Sequence, residues 1–305
     1  MAKANLTKAA NIQVTVREKD FVSQFAKNWE ALQEIWGIMN PIKKEPGSKL
    51  VSYTASVTLA NGAVGEGEEV PYSLASVTEA AKEDLVLRKY KKAVSIEAVD
   101  KYGAENAIER TDEAFLDELQ DVVMDDFYTF LATGTLVNTD PITTFQMGVA
   151  MAVGMVKDKF KAMHKTAGKI TVFVNTLDAY KYLGAAELTV QTAFGIDYIK
   201  NFMGADTVIL SSEITAGKIY ATPVKNIVCY YADPSHSDYA QLGLDFTVDG
   251  ELPLIGFHAM GNYDTFVGEN AALMGMKLWA EYLDGIANIT VTAAAAGNEN
   301  ANPGE

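Results

Sequence analysis

The sequence predicts an α+β fold, in which long helices and short strands occupy different stretches of the chain. One amphipathic helix begins at Thr111 and a second begins at Thr143 or Thr144. Strand-like stretches lie before and after these helices without the regular alternation that predicts a parallel sheet covered by helices on both faces. A long extended arm precedes both helices, which is unusual inside a compact domain, where most connections are short.

The arm, residues 49–82, follows a segment with a predicted strand at 12–16 and a predicted helix that begins at the cap residue Asp20 and ends before Pro41. The first limb of the arm has apolar residues at every second position, which predicts a half-buried strand. These residues are Val51, Tyr53, Ala55, Val57 and Leu59. The arm is interpreted as poor in large apolar groups overall, so we expect it to pack against something outside its own core.

The middle of the arm holds three glycines and three glutamates within eight residues. They are Gly62, Gly65, Glu66, Gly67, Glu68 and Glu69. The order of the glycines is not that of a dinucleotide-binding loop, no helix follows them, and three carboxylates would repel a pyrophosphate. The stretch therefore predicts a flexible acidic loop between two strands.

After the arm, residues 85–99 predict a strand that passes into a helix near Ser95. The strongest helix then runs from Thr111 to a predicted cap at Gly134. One face is apolar and the opposite face is acidic; the apolar residues are Phe115, Leu119, Val122, Val123, Phe127, Phe130 and Leu131, and the acidic residues are Glu113, Asp117, Glu118, Asp121 and Asp125. The acidic face is interpreted as solvated, with a partner surface as the alternative.

The second amphipathic helix carries an apolar stripe from Phe145 to Met163, and the apolar strand 170–174 follows it. Asn175 is the predicted cap of a short helix that ends at Gly184. Two β-rich stretches, at about 207–231 and 242–291, complete the fold, and residues 292–305 have the low complexity of a disordered tail. The whole pattern is that of an α+β protein with one dominant helix.

The composition excludes several classes of function. The formal charge is -15 and only three residues are arginines, so the chain lacks the basic surface of a nucleic-acid reader. The single cysteine, Cys229, lies in an apolar stretch and is predicted to be buried and inert. His164, His236 and His258 have no metal-ligand spacing, and we find no catalytic motif. We therefore predict no enzyme, no cofactor, no metal and no membrane span.

Several stretches, read in order, resemble the major capsid protein of tailed bacteriophages, whose fold encapsulin shells share. The most specific of them passes from the arm into the long helix. They are KYKKAVSIEAVDKYGAENAIERTDEAFLDELQDVVMDDFYTFLATGT, EPGSKLVSY, VGEGEEVPYS, VFVNTLDAYKYLG, LIGFHAMGNYDTF and WAEYLDGIANITV. The resemblance extends over about residues 15–291, and it is a distributed pattern with no catalytic signature.

The resemblance implies a capsid fold with a long spine helix, an extended two-stranded loop (E-loop), a peripheral domain and an axial domain. The implied boundaries are an N-terminal arm at 1–47, the E-loop at 48–83, the peripheral domain at 84–134 and 240–268, the axial domain at 135–239 and 269–291, and a disordered tail at 292–305. Some relatives join subunits by a lysine-to-asparagine bond from the E-loop. No lysine lies between Lys49 and Lys82, so covalent cross-linking is not expected.

The resemblance also implies a partner and a contact. The E-loop is expected to lie across a neighbouring subunit, with its glutamates near a basic patch formed by Arg88, Lys89, Lys91 and Lys92. The expected partners are other copies, in hexamers and pentamers, with a portal and a separate scaffolding protein, if any scaffold is used. The shell would enclose phage DNA and assemble in the host bacterial cytoplasm. Two alternatives stay open: an encapsulin-like shell around a cargo enzyme, and an α+β enzyme whose arm covers a substrate.

Overall fold

A computed structural model describes residues 35–45, 49–186, 191–193, 196–248 and 254–292. The architecture is α+β, as the sequence predicts, and the described strands form two large sheets and one separate hairpin. The predicted strand at 12–16 and the beginning of the helix at Asp20 lie outside the described residues. A helical segment at 35–38 leads into the first strand.

The first large sheet has six described strands, of which the long strand β14 is the centre. Its members are β1 (Asn40–Lys44), β4 (Leu87–Ser95), β11 (Ile227–Ala232), β12 (Thr247–Val248), β13 (Ile255–Asn262) and β14 (Val267–Ala280). The first part of β14 pairs with β4 on one side and β13 on the other, and its last part pairs with β11. The predicted domain boundary between residues 268 and 269 falls within β14; the division into domains stays a prediction.

The second large sheet has seven described strands in the order β5-β15-β10-β6-β9-β8-β7. They are β5 (Leu136–Val137), β6 (Ile170–Asn175), β7 (Gln191–Ala193), β8 (Ile196–Phe202), β9 (Ala205–Ser211), β10 (Lys218–Pro223) and β15 (Ala287–Thr290). The central strand β6 is buried at every position, which explains its continuous apolar run.

Most of the described helices begin at side-chain caps, some of which the sequence predicts, but the helix at Arg110–Leu131 has no side-chain cap. They are α1 (Ile96–Tyr102), α2 (Arg110–Leu131), α3 (Phe145–Ala162), α4 (Thr176–Ala186) and α5 (Ser237–Ala240), with a π-helical turn at Glu105–Glu109 and a 3-10 turn at Leu283–Gly285. Thr144 accepts a hydrogen bond from the Met147 amide at 3.2 Å, and Asn175 accepts one from the Leu177 amide at 2.9 Å. Both predicted caps are therefore confirmed.

Helix α2 packs between the two large sheets and joins them through one core. Its residues Leu119, Val123, Phe127 and Leu131 are buried, at the spacing that the apolar stripe predicts. The Phe127 ring lies 5.5 Å from the ring of Phe173 on β6, in edge-to-face geometry. The same core includes apolar side chains of β11 and β14 on the other side. The long helix is thus the common support of both sheets.

A second core lies on the opposite face of the seven-stranded sheet, beneath α3. Val149, Val153 and Val156 of α3 pack with Val172 and Val174 of β6. Because side chains alternate along a strand, β6 contributes Phe173 to one core and its neighbours to the other. Among the described residues, every helix is too short or too polar to cross a lipid bilayer.

The prediction that Gly134 is the C-cap of the long helix was wrong; the structure needs glycine at this position for a different reason. The cap position is Ala132, and Gly134 does not have the positive φ of a left-handed cap. A Cβ atom at Gly134 would lie 2.7 Å from both Cγ2 and the carbonyl oxygen of Ile286. Glycine is needed here because the chain just before β15 passes directly against it.

The N-terminal segment also differs from the expectation. The sequence predicted no strand between the end of the helix at Pro41 and the arm, but residues 40–44 form β1, which pairs with β11 in parallel. Proline is tolerated at this position since β1 has one described neighbour and lies at an edge of the sheet. Because β1 pairs in parallel with β11, which lies far along the chain, no local sequence pattern marks it, and the sequence did not predict it.

Candidate assembly surface

The extended arm is a β-hairpin that forms a sheet of its own. Strand β2 (Lys49–Thr58) pairs antiparallel with β3 (Leu74–Asp84), and neither pairs with another described strand. The pair Val57 and Ala75 and the pair Ser56 and Ser76 lie opposite each other, and the two serine hydroxyls are 2.7 Å apart. The predicted two-stranded arm is therefore present, and it projects from the rest of the subunit as a separate element.

The acidic loop, residues 59–73, is organised around a tight turn. The Glu68 amide donates to the carbonyl of Gly65 at 3.1 Å, and Gly67 has φ of 85°, which a type II turn requires at its third residue. The Glu68 carboxylate accepts a hydrogen bond from the Gly65 amide at 2.9 Å. Glu68, one of the predicted interface glutamates, thus stabilises its own loop, although it is exposed like Glu66 and Glu69. Gly62 does not have a positive φ.

The hairpin exposes more apolar surface than the sequence interpretation anticipated. Tyr72 is 95% exposed and Leu59 is 79% exposed. Four further residues are more than half exposed: Val57, Val70, Leu74 and Val77. An apolar set of this size at the end of a projecting element is typical of a surface that a partner covers. The arm is therefore not poor in large apolar groups, and the apolar residues flanking the glycines were the signal that was overlooked.

The predicted basic patch lies on β4, where most of its charges already have partners in the same chain. Arg88 forms an ion pair with Asp126 at 2.6 Å, and Lys92 pairs with Asp112. Both acids are on α2, so one face of β4 is held against the long helix. Asp126, which is not one of the residues assigned to the acidic face, is therefore paired and only partly exposed.

The other face of β4 carries Lys89 and Lys91, because side chains alternate along a strand. Lys91 pairs with Glu269, a carboxylate that is only 3% exposed and that also accepts a hydrogen bond from the Asn262 amide group at 3.1 Å. Lys89 is exposed. Since β4 pairs with β14 alone among the described strands, its lysines also have a simpler role: charges on an edge strand discourage pairing with other chains.

An apolar groove of about 530 Å³ lies beside β4. Its walls are β4, the start of α1, the start of α2 and the hairpin formed by β13 and β14. We call it the tip groove; its apolar lining residues are Val94, Ile96, Val99, Ile108, Met260, Tyr263, Phe266 and Val267. Tyr263 is 85% exposed and Phe266 is 64% exposed, so the rim is open to solvent.

The rim of the tip groove is held in a strained conformation. Phe266 has φ of 48°, which is unusual for a residue with a Cβ atom and costs of order 1–3 kcal/mol. Its carbonyl accepts a hydrogen bond from the Ile96 amide at 3.2 Å, which ties the β13–β14 turn to the start of α1. Strain of this kind is commonly found where a backbone is shaped for binding.

The single cysteine and the three histidines, which the sequence analysis considered as candidate reactive or metal-binding residues, all have structural surroundings that account for them. Cys229 is fully buried, and burial raises the pKa of its thiol to about 12. His236 accepts from the Asp238 amide at the start of α5 and lies 2.5 Å from Glu45, while His258 packs edge-on against Phe246. His164 ends α3 with φ of 57°. Within the described ranges, no group of three or more His, Cys, Asp or Glu side chains is placed to hold a metal ion.

No sequence-family model and no curated protein sequence matches this chain. Several solved structures, however, are similar to this chain in fold. A chain from Mycobacterium phage Patience aligns with a TM-score of 0.60 at 8% identity, covering 97% of this chain and 95% of that one. A chain from the capsid of Cyanophage P-SCSP1u aligns with a TM-score of 0.58 at 9% identity, covering 85% and 88%. A chain of the holo-SrpI encapsulin complex from Synechococcus elongatus PCC 7942 aligns with a TM-score of 0.53 at 10% identity, covering 92% and 99%. At these identities the likeness establishes a common fold.

Proposed function

We propose that this chain, whose fold is that of tailed-phage capsid proteins, is a structural subunit that self-assembles into an icosahedral shell around a phage genome. The observation that carries the proposal is the separate hairpin, with six large apolar side chains left exposed. A two-stranded hairpin is marginally stable alone in water, and its apolar residues gain free energy only when a partner covers them. In a shell, that partner is the next subunit.

The charge of the chain fits this role. A shell that holds DNA should not adhere to it, and a net charge of -15 opposes such adhesion. The proposed partners are other copies in hexamers and pentamers, together with the portal and scaffolding protein that the resemblance implies. In this proposal the chain has no enzymatic activity and no sequence-specific contact with nucleic acid. Assembly occurs in the host bacterial cytoplasm, and the mature location is the virion.

A second candidate is an encapsulin-like shell, because the encapsulin complex named above has the same fold. The two functions differ in what the shell encloses. Particles purified from their natural source and containing a nuclease-protected genome support the phage shell. Particles that contain a protein cargo and no other phage protein support the encapsulin-like shell.

The proposed function is tested by expressing the chain and examining it by size-exclusion chromatography and electron microscopy. We expect capsomer rings or closed shells in the megadalton range. If the full chain remains a monomer or a small oligomer, both alone and with a co-expressed scaffolding protein, the proposal fails. A folded small oligomer would then favour the enzyme or binding-protein alternative.

The proposed contact between the acidic loop and β4 makes a prediction about salt. Glu66→Gln combined with Glu69→Gln should weaken shells at low ionic strength and reduce the difference between low and high salt, because exposed ion pairs are screened within a Debye length of ~8–10 Å. Lys89→Gln should have the same effect, and adding it to the glutamine pair should cause no further loss. Light scattering across a salt series measures shell dissociation.

The matched control for the salt series changes two exposed acids of α2, Glu113→Gln and Glu118→Gln, which leaves the loop intact. This control should keep the salt dependence of the wild-type chain. Glu68 is left unchanged because its carboxylate stabilises the turn at Gly65. Salt-independent dissociation of wild-type shells would refute an electrostatic contact and leave apolar contacts as the main source of stability.

A further inference from the structure

We infer that Asn61 is a site of spontaneous chemical modification, at which the side-chain amide is lost as ammonia and an aspartyl or isoaspartyl residue remains. The reacting groups are the Asn61 side chain and the backbone nitrogen of Gly62, both in the acidic loop. The inference goes beyond the proposed function, because the reaction occurs within one chain and does not require a shell. Three observations support it: the residue that follows Asn61, the exposure of the loop, and a hydrogen bond at the reacting carbonyl.

The reaction needs no reagent other than water. The Gly62 amide nitrogen, after it loses its proton to solvent, attacks Cγ of Asn61, and a carbon–nitrogen bond forms. The bond between Cγ and Nδ2 then breaks, and Nδ2 takes up a proton from water and leaves as ammonia. The product is a cyclic imide, which water opens at either carbonyl to give aspartate or isoaspartate. Because both reacting groups are in adjacent residues, the attack is intramolecular and is strongly favoured over a reaction between separate molecules.

The residue after Asn61 leaves the attacking nitrogen open. Asn61 is the only asparagine of the chain that is followed by glycine. Glycine has no Cβ atom to hinder the attack, and its backbone adopts the conformation that ring closure requires at little cost. A Cβ atom at Gly62 would meet no atom within 4 Å, and Gly62 does not have a positive φ. The fold therefore does not depend on glycine here, and a side chain can be introduced to test the reaction.

The loop around Asn61 has few contacts that would prevent ring closure. Asn61, Gly62 and Ala63 are exposed and belong to no helix or strand. The loop is tied to the returning limb just before them, where the Ala60 amide donates to the Ser73 hydroxyl at 3.1 Å. Segments with few buried contacts rearrange locally at little cost in free energy. The backbone at Asn61 can therefore reach the reactive conformation while the rest of the subunit stays folded.

A hydrogen bond activates the carbonyl that is attacked. The Ala63 amide donates to Oδ1 of Asn61 at 3.0 Å. A donor at this oxygen polarises the carbonyl and stabilises the negative charge that develops on the oxygen when the nitrogen adds, as in an oxyanion hole. Because the donor belongs to the same loop, it stays beside the carbonyl as the attacking nitrogen approaches.

Asn175 provides a comparison within the same chain. Its Oδ1 accepts a hydrogen bond from the Leu177 amide at 2.9 Å, so its carbonyl is polarised like that of Asn61. However, Asn175 is only 8% exposed, its Nδ2 donates to the Ile214 carbonyl at 2.6 Å, and the next residue is the β-branched Thr176. The leaving nitrogen is thus held and the attacking nitrogen is crowded. Asn175 should therefore not react.

The reaction changes the surface that the proposed shell uses for contacts. Each product has a carboxylate where the native chain has a neutral amide, in a loop that already contains three glutamates. The isoaspartyl form also has an additional atom in its backbone, which alters the path of the loop. A preparation of the subunit is therefore expected to become a mixture of differently charged forms with time.

Peptide mass spectrometry of the full chain tests the inference. The folded chain is incubated at neutral pH and sampled over several days, and each sample is digested with trypsin, with an unincubated sample as the baseline. Because no lysine or arginine lies between Lys49 and Lys82, residues 50–82 are released as one peptide, in which Asn61 is the only side-chain amide. We expect this peptide to be converted to two products of equal mass, heavier by the difference between a hydroxyl and an amino group. Residues 170–181, which contain Asn175, should keep their mass in the same samples.

The matched control is Gly62→Val, which places a β-branched side chain beside the attacking nitrogen. Since a Cβ atom there meets no neighbour within 4 Å, the variant is expected to fold with the thermal stability of the wild-type chain and to keep Asn61 intact over the same period. The Asn61→Asp variant supplies the chromatographic standard for the aspartyl product, so the second product is identified as isoaspartyl.

Three results would overturn the inference. The first is a peptide 50–82 that keeps its mass in the folded wild-type chain and reacts only after unfolding. The second is equal conversion in the Gly62→Val variant, which would show that the Gly62 nitrogen is not the attacking group. The third is an aspartyl product without isoaspartate, which would indicate direct hydrolysis of the amide. Shell formation is measured separately by electron microscopy, so a failure of the proposed function would be distinguishable from each of these results.

Discussion

Replacing Phe127 with aspartate is expected to leave the chain insoluble. Phe127 is fully buried in α2 and packs against Phe173 of the seven-stranded sheet. Truncating a buried phenylalanine alone costs about 3–5 kcal/mol, and an unpaired buried carboxylate costs several kcal/mol more. Because typical domains have a total stability of about 5–15 kcal/mol, the change removes most or all of it. The measurement is the soluble fraction after expression, followed by circular dichroism of any soluble protein.

The control for this prediction is Asp125→Lys, two positions away on the exposed side of the same helix. It should fold and unfold at the temperature of the wild-type chain, since a surface substitution usually changes stability by less than about 0.5 kcal/mol. A soluble and cooperatively folded Phe127→Asp variant would contradict the placement of α2 between the sheets. If Asp125→Lys folds but blocks assembly, this face of α2 is a subunit interface.

Removal of the hairpin is expected to abolish shells while leaving a folded subunit. Residues 56–76 are replaced by Asn-Gly, which joins Ala55 to Val77, a pair that lies opposite each other in the ladder. Asn-Gly is the preferred sequence for a two-residue hairpin turn. Because β2 and β3 pair only with each other among the described strands, the two large cores should be unaffected. Thermal unfolding checks the subunit, and electron microscopy checks the shells.

The matched control keeps the hairpin and replaces one exposed apolar residue elsewhere, Leu177→Ser on α4. This variant should assemble with the yield of the wild-type chain, which shows that losing any exposed apolar group is not enough to stop assembly. Shells of normal yield and heat resistance from the hairpin deletion would show that the hairpin is not an intersubunit element. An unfolded deletion variant would show instead that the hairpin belongs to the core.

Some features of the assembly surface were predictable from sequence and others were not. The alternation before Leu59 and the glycines around Gly65 predicted a projecting two-stranded arm, and the structure contains it. The exposed state of Tyr72 was not predicted, because residue type and sequence neighbours do not show whether another segment of the chain covers a side chain. The tip groove was also not predicted, since its walls come from four elements that only the fold brings together.

The sequence by itself determined the elements whose signals are local. The stripe on α2 and the caps Thr144 and Asn175 depend on residues within one or two turns, so periodicity and side-chain chemistry are sufficient to predict them. Only the tertiary structure decided the pairing of Arg88 with Asp126 and the need for glycine at Gly134. These depend on which distant segments meet, such as the residue Ile286 that passes Gly134. Contacts between remote segments are set by the packing of the whole chain, and no local spacing encodes them.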